Sequence, residues 1–260
     1  MEKSLTNTQN VAGPPGPAMI EVYPDLEALS RAAAALLVRQ ANLAVVARGL
    51  FSVALSGGKT LRRTYELLAG PPLADQAPWE QVHVFWGDER CVPLDDPRSN
   101  AGMAKATWLD RVPIPGDQIH PLNCTQGPGA AARDYEAQLR KFFAGRTPRL
   151  DLVLLGLGDD GHTASLFPGT TALEEKARWA AAVYRAEPDL HRVTLTAPLL
   201  NQAAVIAFMV AGRAKAGVWQ EVLHGPLDPR RLPAQLIQPQ TGDLLWLADR
   251  EAAGEDGAPV

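Results

Sequence analysis

Short apolar runs alternate along the chain with amphipathic stretches, and that alternation predicts most of the elements. Residues 50–55 (LFSVAL), 82–86 (VHVFW), 151–155 (DLVLL) and 204–210 are mostly apolar runs of strand length, as expected for strands buried on both faces. Further strands are predicted at 179–184, 192–196 and 244–247. Helical spacing appears from a cap at Asp25 to about residue 46, with Arg31 and Arg39 outward. It returns at 60–69, stopped by a Gly-Pro-Pro step, and from a cap at Ser99 or Asn100 to Leu109. Two more helices are predicted, at 130–143 with Tyr135, Leu139, Phe142 and Phe143 on one face, and from Gly212 to about 223. Residues 92–98 and 111–116 are proline-broken connections. Alternating strands and helices predict an α/β fold, a mostly parallel sheet with helices on both faces. The pattern places a single domain at 20–250, with room for a small appended lobe. Residues 1–19, polar and then rich in proline and glycine, read as a flexible leader, and 251–260 as a flexible acidic tail.

Composition narrows the class. The chain has 260 residues, 46% hydrophobic and 21% charged, which suits one large α/β domain. A net charge of −4 argues against a nucleic-acid binder, which would carry a basic face. It leaves open an anionic small molecule held by a local cluster of cations and backbone N–H groups. No uninterrupted apolar run reaches the ~18 residues of a membrane span, and the polar start lacks a secretory core. A cytoplasmic protein is expected. Cys91 and Cys124 make no disulfide framework in a chain of this length, so a reducing compartment fits. With His120 they match no zinc spacing, and no metal site is expected.

Candidate chemistry lies in three segments that follow predicted strands, where open α/β sheets bind ligands. The first is Ser56-Gly57-Gly58-Lys59-Thr60, a glycine turn opening a helix, whose free N–H groups suit a phosphate. A nucleotide-binding P-loop would need glycine where Val53 stands, and an esterase nucleophile elbow would need it at Ala54. Anion binding is the better reading. The second is Gly87-Asp88-Glu89-Arg90, three charges placed to line a crevice. The third is GLGDDGHTASLFP, residues 156–168, which delivers Asp159, Asp160 and His162 at the end of a central strand. A neutral histidine is a base near physiological pH, and an adjacent carboxylate orients it or stabilises its protonated form. Spacing alone leaves open which aspartate faces the ring. Downstream, Arg192 opens a strand and Lys215 lies early in a helix, where a cation opposes the helix dipole and hints at a bound anion.

Taken together, SGGKT, GDERCVPLDDPRSN, LGLGDDGHTASLFP, RVTLTAPLLN and AGRAKA resemble the 6-phosphogluconolactonases in order and spacing, over roughly residues 20–250. That family shares a superfamily with the glucosamine-6-phosphate isomerase/deaminases. The resemblance implies a Rossmann-like sheet in an isomerase/CoA-transferase-like three-layer architecture. It implies hydrolysis of 6-phosphoglucono-1,5-lactone without a cofactor, and a phosphorylated sugar lactone as the only partner: no nucleic acid, membrane or obligatory protein. It also implies roles, with Asp160 and His162 catalytic. Ser56, Gly57, Gly58, Asp88, Arg90, Asn100, Gly161, Arg192 and Lys215 would bind substrate or phosphate.

The isomerase branch is the competing reading, because it shares the Asp-Gly-His turn. It typically carries Asp-Glu-Tyr where this chain has Asp88-Glu89-Arg90, and a catalytic glutamate where this chain has Phe167. A phenyl ring cannot move the protons of an amino-sugar isomerisation. A non-catalytic sugar-phosphate sensor would need a DNA-binding module, for which residues 1–24 are too short and too proline-rich.

Overall fold

The computed structural model describes residues 18–186 and 190–254. The leader at 1–17 and the tail from 255 lie outside the described residues. Met19, assigned to the leader, begins a strand, and residues 251–253, assigned to the tail, are helical.

In chain order the elements are β1 (Met19–Tyr23), α1 (Leu26–Arg48), β2 (Phe51–Leu55), α2 (Lys59–Leu68), β3 (Val82–Trp86) and β4 (Asp88–Arg90). They continue with α3 (Asn100–Thr107), α4 (Pro128–Phe142), β5 (Leu152–Gly156), β6 (Ala180–Arg185), β7 (Leu190–Leu195) and α5 (Ala197–Leu200). The chain closes with β8 (Val205–Val210), α6 (Ala216–His224), β9 (Asp243–Asp249) and α7 (Arg250–Ala253). Six strands form one parallel sheet in the order β1-β9-β8-β5-β2-β3. Side chains alternate across it: Val53, Leu152 and Leu154 pack beneath α1 and α2, while Ala54, Val153 and Leu155 face the opposite core. Helix α1 has the length and hydropathy of a membrane span, yet half of that stretch is buried, with Leu29, Ala33 and Leu37 fully enclosed.

The order reverses between β2 and β5. From β2 the chain runs outward to β3; from β5 it continues the other way to β8. The crevice between the carboxyl ends of β2 and β5 is therefore the topological switch point, where such sheets bind ligands.

Two strands escaped the sequence pattern. Strand β1 sits at a sheet edge with Met19, Ile20 and Val22 exposed, so no buried run marks it. Residues 88–90, read as a turn, form β4 of a second, antiparallel sheet, β4-β7-β6. Gly87 is the pivot between the sheets: its N–H donates to Leu55 O at 2.7 Å and its carbonyl accepts from Leu195 N–H at 2.7 Å. The expectation of unpaired cysteines is corrected, and the reducing compartment inferred from it loses that support, since Cys91 and Cys124 are joined by a disulfide with their Cα atoms 5.2 Å apart. The fold closes a separation of 33 residues that sequence spacing did not reveal.

Candidate active site

At the switch point lies a cavity of about 570 Å³. Its walls include the turn after β2, the turn after β5, β4, β7 and the turn before α6. Of the candidate residues, Ser56, Gly57, Gly58, Asp88, Arg90, His162, Arg192 and Lys215 line it. Asn100, Asp160 and Gly161 stand behind that lining.

After β2 the chain turns through Gly58, at φ 104°, a conformation that glycine adopts without steric cost. Helix α2 then begins with no side-chain cap, and Gly58, Lys59 and Thr60 line the cavity. Uncapped N–H groups and the positive end of the helix dipole together favour an anion. The turn is held from behind. Tyr65 donates its hydroxyl to Ser56 O at 2.7 Å, and Ser56 Oγ donates to Leu154 O at 2.8 Å. Ser56 is thus bonded to the sheet backbone, which weighs against its service as a nucleophile. Gly57 packs directly on Asn100; a Cβ there would come within 1.7 Å of Asn100 Oδ1.

Asn100 connects this turn to the second segment. Its side-chain amide donates to Asp88 O at 2.9 Å and to Asp88 Oδ1 at 3.2 Å. The other Asp88 oxygen accepts from Ser165 Oγ at 2.5 Å and lies 3.7 Å from Arg192 Nη1. Glu89 points the other way and caps α3, accepting from Asn100 N–H, Ala101 N–H and Ser99 Oγ. Burial raises its carboxyl above the ordinary range despite bonds from the Ala101, Asn100 and Arg90 N–H groups. Glu89, expected with its neighbours to line the crevice, is instead turned away from the cavity into the start of α3, and sequence reading did not single out Ser165. Alternation along β4 would have separated Glu89 from its neighbours, had that segment read as a strand.

The cavity's cations are Lys59, Arg90, Arg192 and Lys215. Arg192 is only 8% exposed, and burial, which penalises its charge, holds its guanidinium below the ordinary pKa. The Nε atoms of both Arg90 and Arg192 are buried without a hydrogen-bond partner among the described residues. Buried donors of this kind call for an acceptor, and an anionic ligand supplies one. The acids that share the lining are already engaged. Asp249 accepts from Gly212 N–H and caps α7, and Glu251 accepts from Arg213 N–H.

After β5 no helix follows. Gly158 N–H donates to His162 O at 2.8 Å and Gly161 N–H donates to Gly158 O at 3.1 Å, folding the segment back on itself. Gly161 has φ 76°, and a Cβ on it would strike Leu232. The left-handed Ala164, at φ 48°, continues the knot. Within it the two aspartates diverge. Asp159 pairs with Lys215 Nζ at 2.5 Å, whereas Asp160 Oδ1 meets His162 Nδ1. Burial disfavours the charged form of Asp160, but its bonds to the His162 ring and backbone N–H, with Arg185 nearby, outweigh that and lower its pKa to about 2. The ionised carboxylate fixes the proton on Nδ1 and leaves Nε2 as the basic nitrogen. The ring lies against Gly158, where a Cβ would fall 1.9 Å from Nδ1, and against Phe167, centroids 4.4 Å apart. The arrangement therefore sets an imidazole held by a carboxylate beside a pocket lined by four cationic side chains.

A sequence profile described as glucosamine-6-phosphate isomerases/6-phosphogluconolactonase matches residues 24–246. The chain is 43% identical over 245 residues to the 6-phosphogluconolactonase of Synechocystis sp., covering 92% of this chain and 98% of that one. It is 37% identical to the 6-phosphogluconolactonase of Homo sapiens, covering 92% and 94% respectively. The fold superposes on the 6-phosphogluconolactonase from Trypanosoma brucei with a TM-score of 0.80 at 28% identity, covering 93% and 99%.

Proposed function

The chain belongs to the glucosamine-6-phosphate isomerase/6-phosphogluconolactonase family, and on that premise we propose that it hydrolyses 6-phosphoglucono-1,5-lactone to 6-phosphogluconate. The observation that carries the lactonase reading over the isomerase one is Phe167. Its ring packs on His162 at the position where the isomerase branch is expected to carry its acid.

In the proposed reaction, water adds to the C1 carbonyl and the ring oxygen departs. Neutral His162 takes a proton from the water through Nε2 and returns it to the leaving oxygen, while Asp160 stabilises the imidazolium between the two transfers. The developing oxyanion needs donors. Gly161 N–H is spent on Gly158 O and His162 N–H on Asp160 Oδ1, which leaves the Arg90 and Arg192 guanidinium groups as the better candidates. The turn at 56–60 and Lys215 would receive the phosphate. Such lactones open slowly unaided, so the required acceleration is modest and no covalent intermediate or cofactor is called for. The reading carries with it a single α/β domain and a cytoplasmic location.

A coupled assay comparing the phosphorylated lactone with glucosamine 6-phosphate tests this directly. Turnover of the lactone alone is expected; turnover of the amino sugar in its place would return the chain to the isomerase branch.

A further inference from the structure

Resting on the reading of His162 as base, we infer that Arg185 is a positioning residue of the reaction, acting on His162 through Asp160. Arg185 ends β6, on the antiparallel sheet, and none of the sequence motifs includes it. Its Nη2 lies 3.6 Å from Asp160 Oδ2, while the other oxygen of that carboxylate meets His162 Nδ1. Its guanidinium also lies over the Phe167 ring, 4.4 Å from the centroid, and the same ring touches His162. Arg185 does not line the cavity.

Asp160 has a side chain 39% exposed, and both of its bonds to His162, from the ring and from the backbone N–H, fall on Oδ1, so the histidine leaves Oδ2 unheld. Arg185 supplies the second point. A carboxylate held on both oxygens presents a fixed acceptor to the imidazole, as outer partners do for other histidine pairs. Phe167 fixes the cation in turn, through a face that a guanidinium stacks on better than an ammonium.

Charge gives the role a signature of its own. The charged groups around His162 are Asp160 and Asp159 on its own turn, Arg185 on β6, Arg192 on β7 and Lys215 before α6. Lys215 is paired with Asp159 and Arg192 lies toward Asp88, so Arg185 is the cation that offsets Asp160. Removing it strengthens the pull of Asp160 on the protonated ring.

The test is the pH profile of kcat/KM for Arg185→Met, with kcat and KM separated. The expected result is a kcat about 3- to 10-fold lower, KM within about 2-fold, and an acid limb moved up by about half a pH unit. That shift should shrink as salt rises, because the groups are partly exposed. Arg185→Lys keeps the charge and should hold the acid limb near its original position with part of kcat restored. In an Asp160→Asn background Arg185→Met should change kcat less than 2-fold. A profile that superimposes on the parent, a loss confined to KM, or full additivity with Asp160→Asn would overturn the role of Arg185. His162→Asn, assayed alongside, separates the two readings. If it is inactive while Arg185→Met behaves as the parent, only the positioning role fails; if it is active, the base itself is misassigned.

Discussion

The turns after β2 and β5 occupy equivalent places, at the carboxyl ends of neighbouring parallel strands, and yet offer opposite chemistry. After β2 the glycines lead straight into α2, so N–H groups stay unpaired and the turn presents positive potential. After β5 no helix follows, and the backbone groups of Gly158, Gly161 and His162 bond within the segment. What that turn offers is a side chain. The difference teaches that a glycine-rich strand end keeps its N–H groups available to an anion when a helix takes up the chain behind it. Where the chain knots on itself, the turn holds a side chain in place. The cleanest ways to break this contrast act on one turn at a time.

The largest effect is expected from His162→Asn, which should lower kcat about 10²- to 10⁴-fold with little change in KM. Steady-state kinetics at saturating lactone measure it, and a parental kcat would remove the ring from the chemistry. The pH profile sharpens the same point. Because Asp160 is held down at about 2, it stays ionised throughout the range where a histidine gains its proton. The acid limb of log kcat/KM should therefore fall with a slope of one proton. A slope of two would mean that the carboxylate titrates with the ring.

Next in size is Gly158→Ala. The new methyl would lie 1.9 Å from Nδ1, so the ring must move. A displacement of about 1 Å costs on the order of 10²-fold in rate, expected here in kcat with KM nearly unchanged. Gly57→Ala is the matching probe of the other turn. Its methyl would meet Asn100 Oδ1, and displacing the anion cradle should raise KM more than it lowers kcat. If both substitutions fell on kcat alone, the division between the two turns would be wrong.

Smaller again is Lys215→Met, expected to raise KM about 10-fold for the phosphorylated lactone through loss of a charge-assisted bond. The unphosphorylated lactone, assayed in parallel, should be affected less than 2-fold. Equal losses on both substrates would take the phosphate away from this side of the cavity.

How much of this was legible in advance depends on where the signal lay. Buried parallel strands are continuous apolar runs, so 82–86 was bounded as observed and β2, β5 and β8 within a residue. Strand β4 was not legible. Its Asp88, Glu89 and Arg90 are charged, and in the strand paired with β7 the two carboxylates are satisfied by Ser165, Asn100 and the start of α3. Those partners lie many residues away, and no local pattern announces them. His162 stood out by residue type and context; Arg185 did not, since an arginine at a strand end looks like any solvated charge. The choice between Asp159 and Asp160 depended on Lys215, 56 residues on, and only folding brings it close.

The smallest effect separates the β2 turn from a nucleophile elbow. Ser56 is 5% exposed and donates to Leu154 O, so its hydroxyl is committed to the sheet backbone behind the turn. Ser56→Ala leaves the glycines and the start of α2 in place and removes one buried hydrogen bond, a cost of about 1 kcal/mol in stability. Denaturant unfolding should register that loss while kcat stays within about 3-fold of the parent. Abolished turnover in a folded Ser56→Ala variant, together with an acyl-enzyme trapped on the parent, would make the serine the attacking group and His162 its base. The β2 turn would then carry chemistry as well as charge, and the contrast between the two strand ends would collapse.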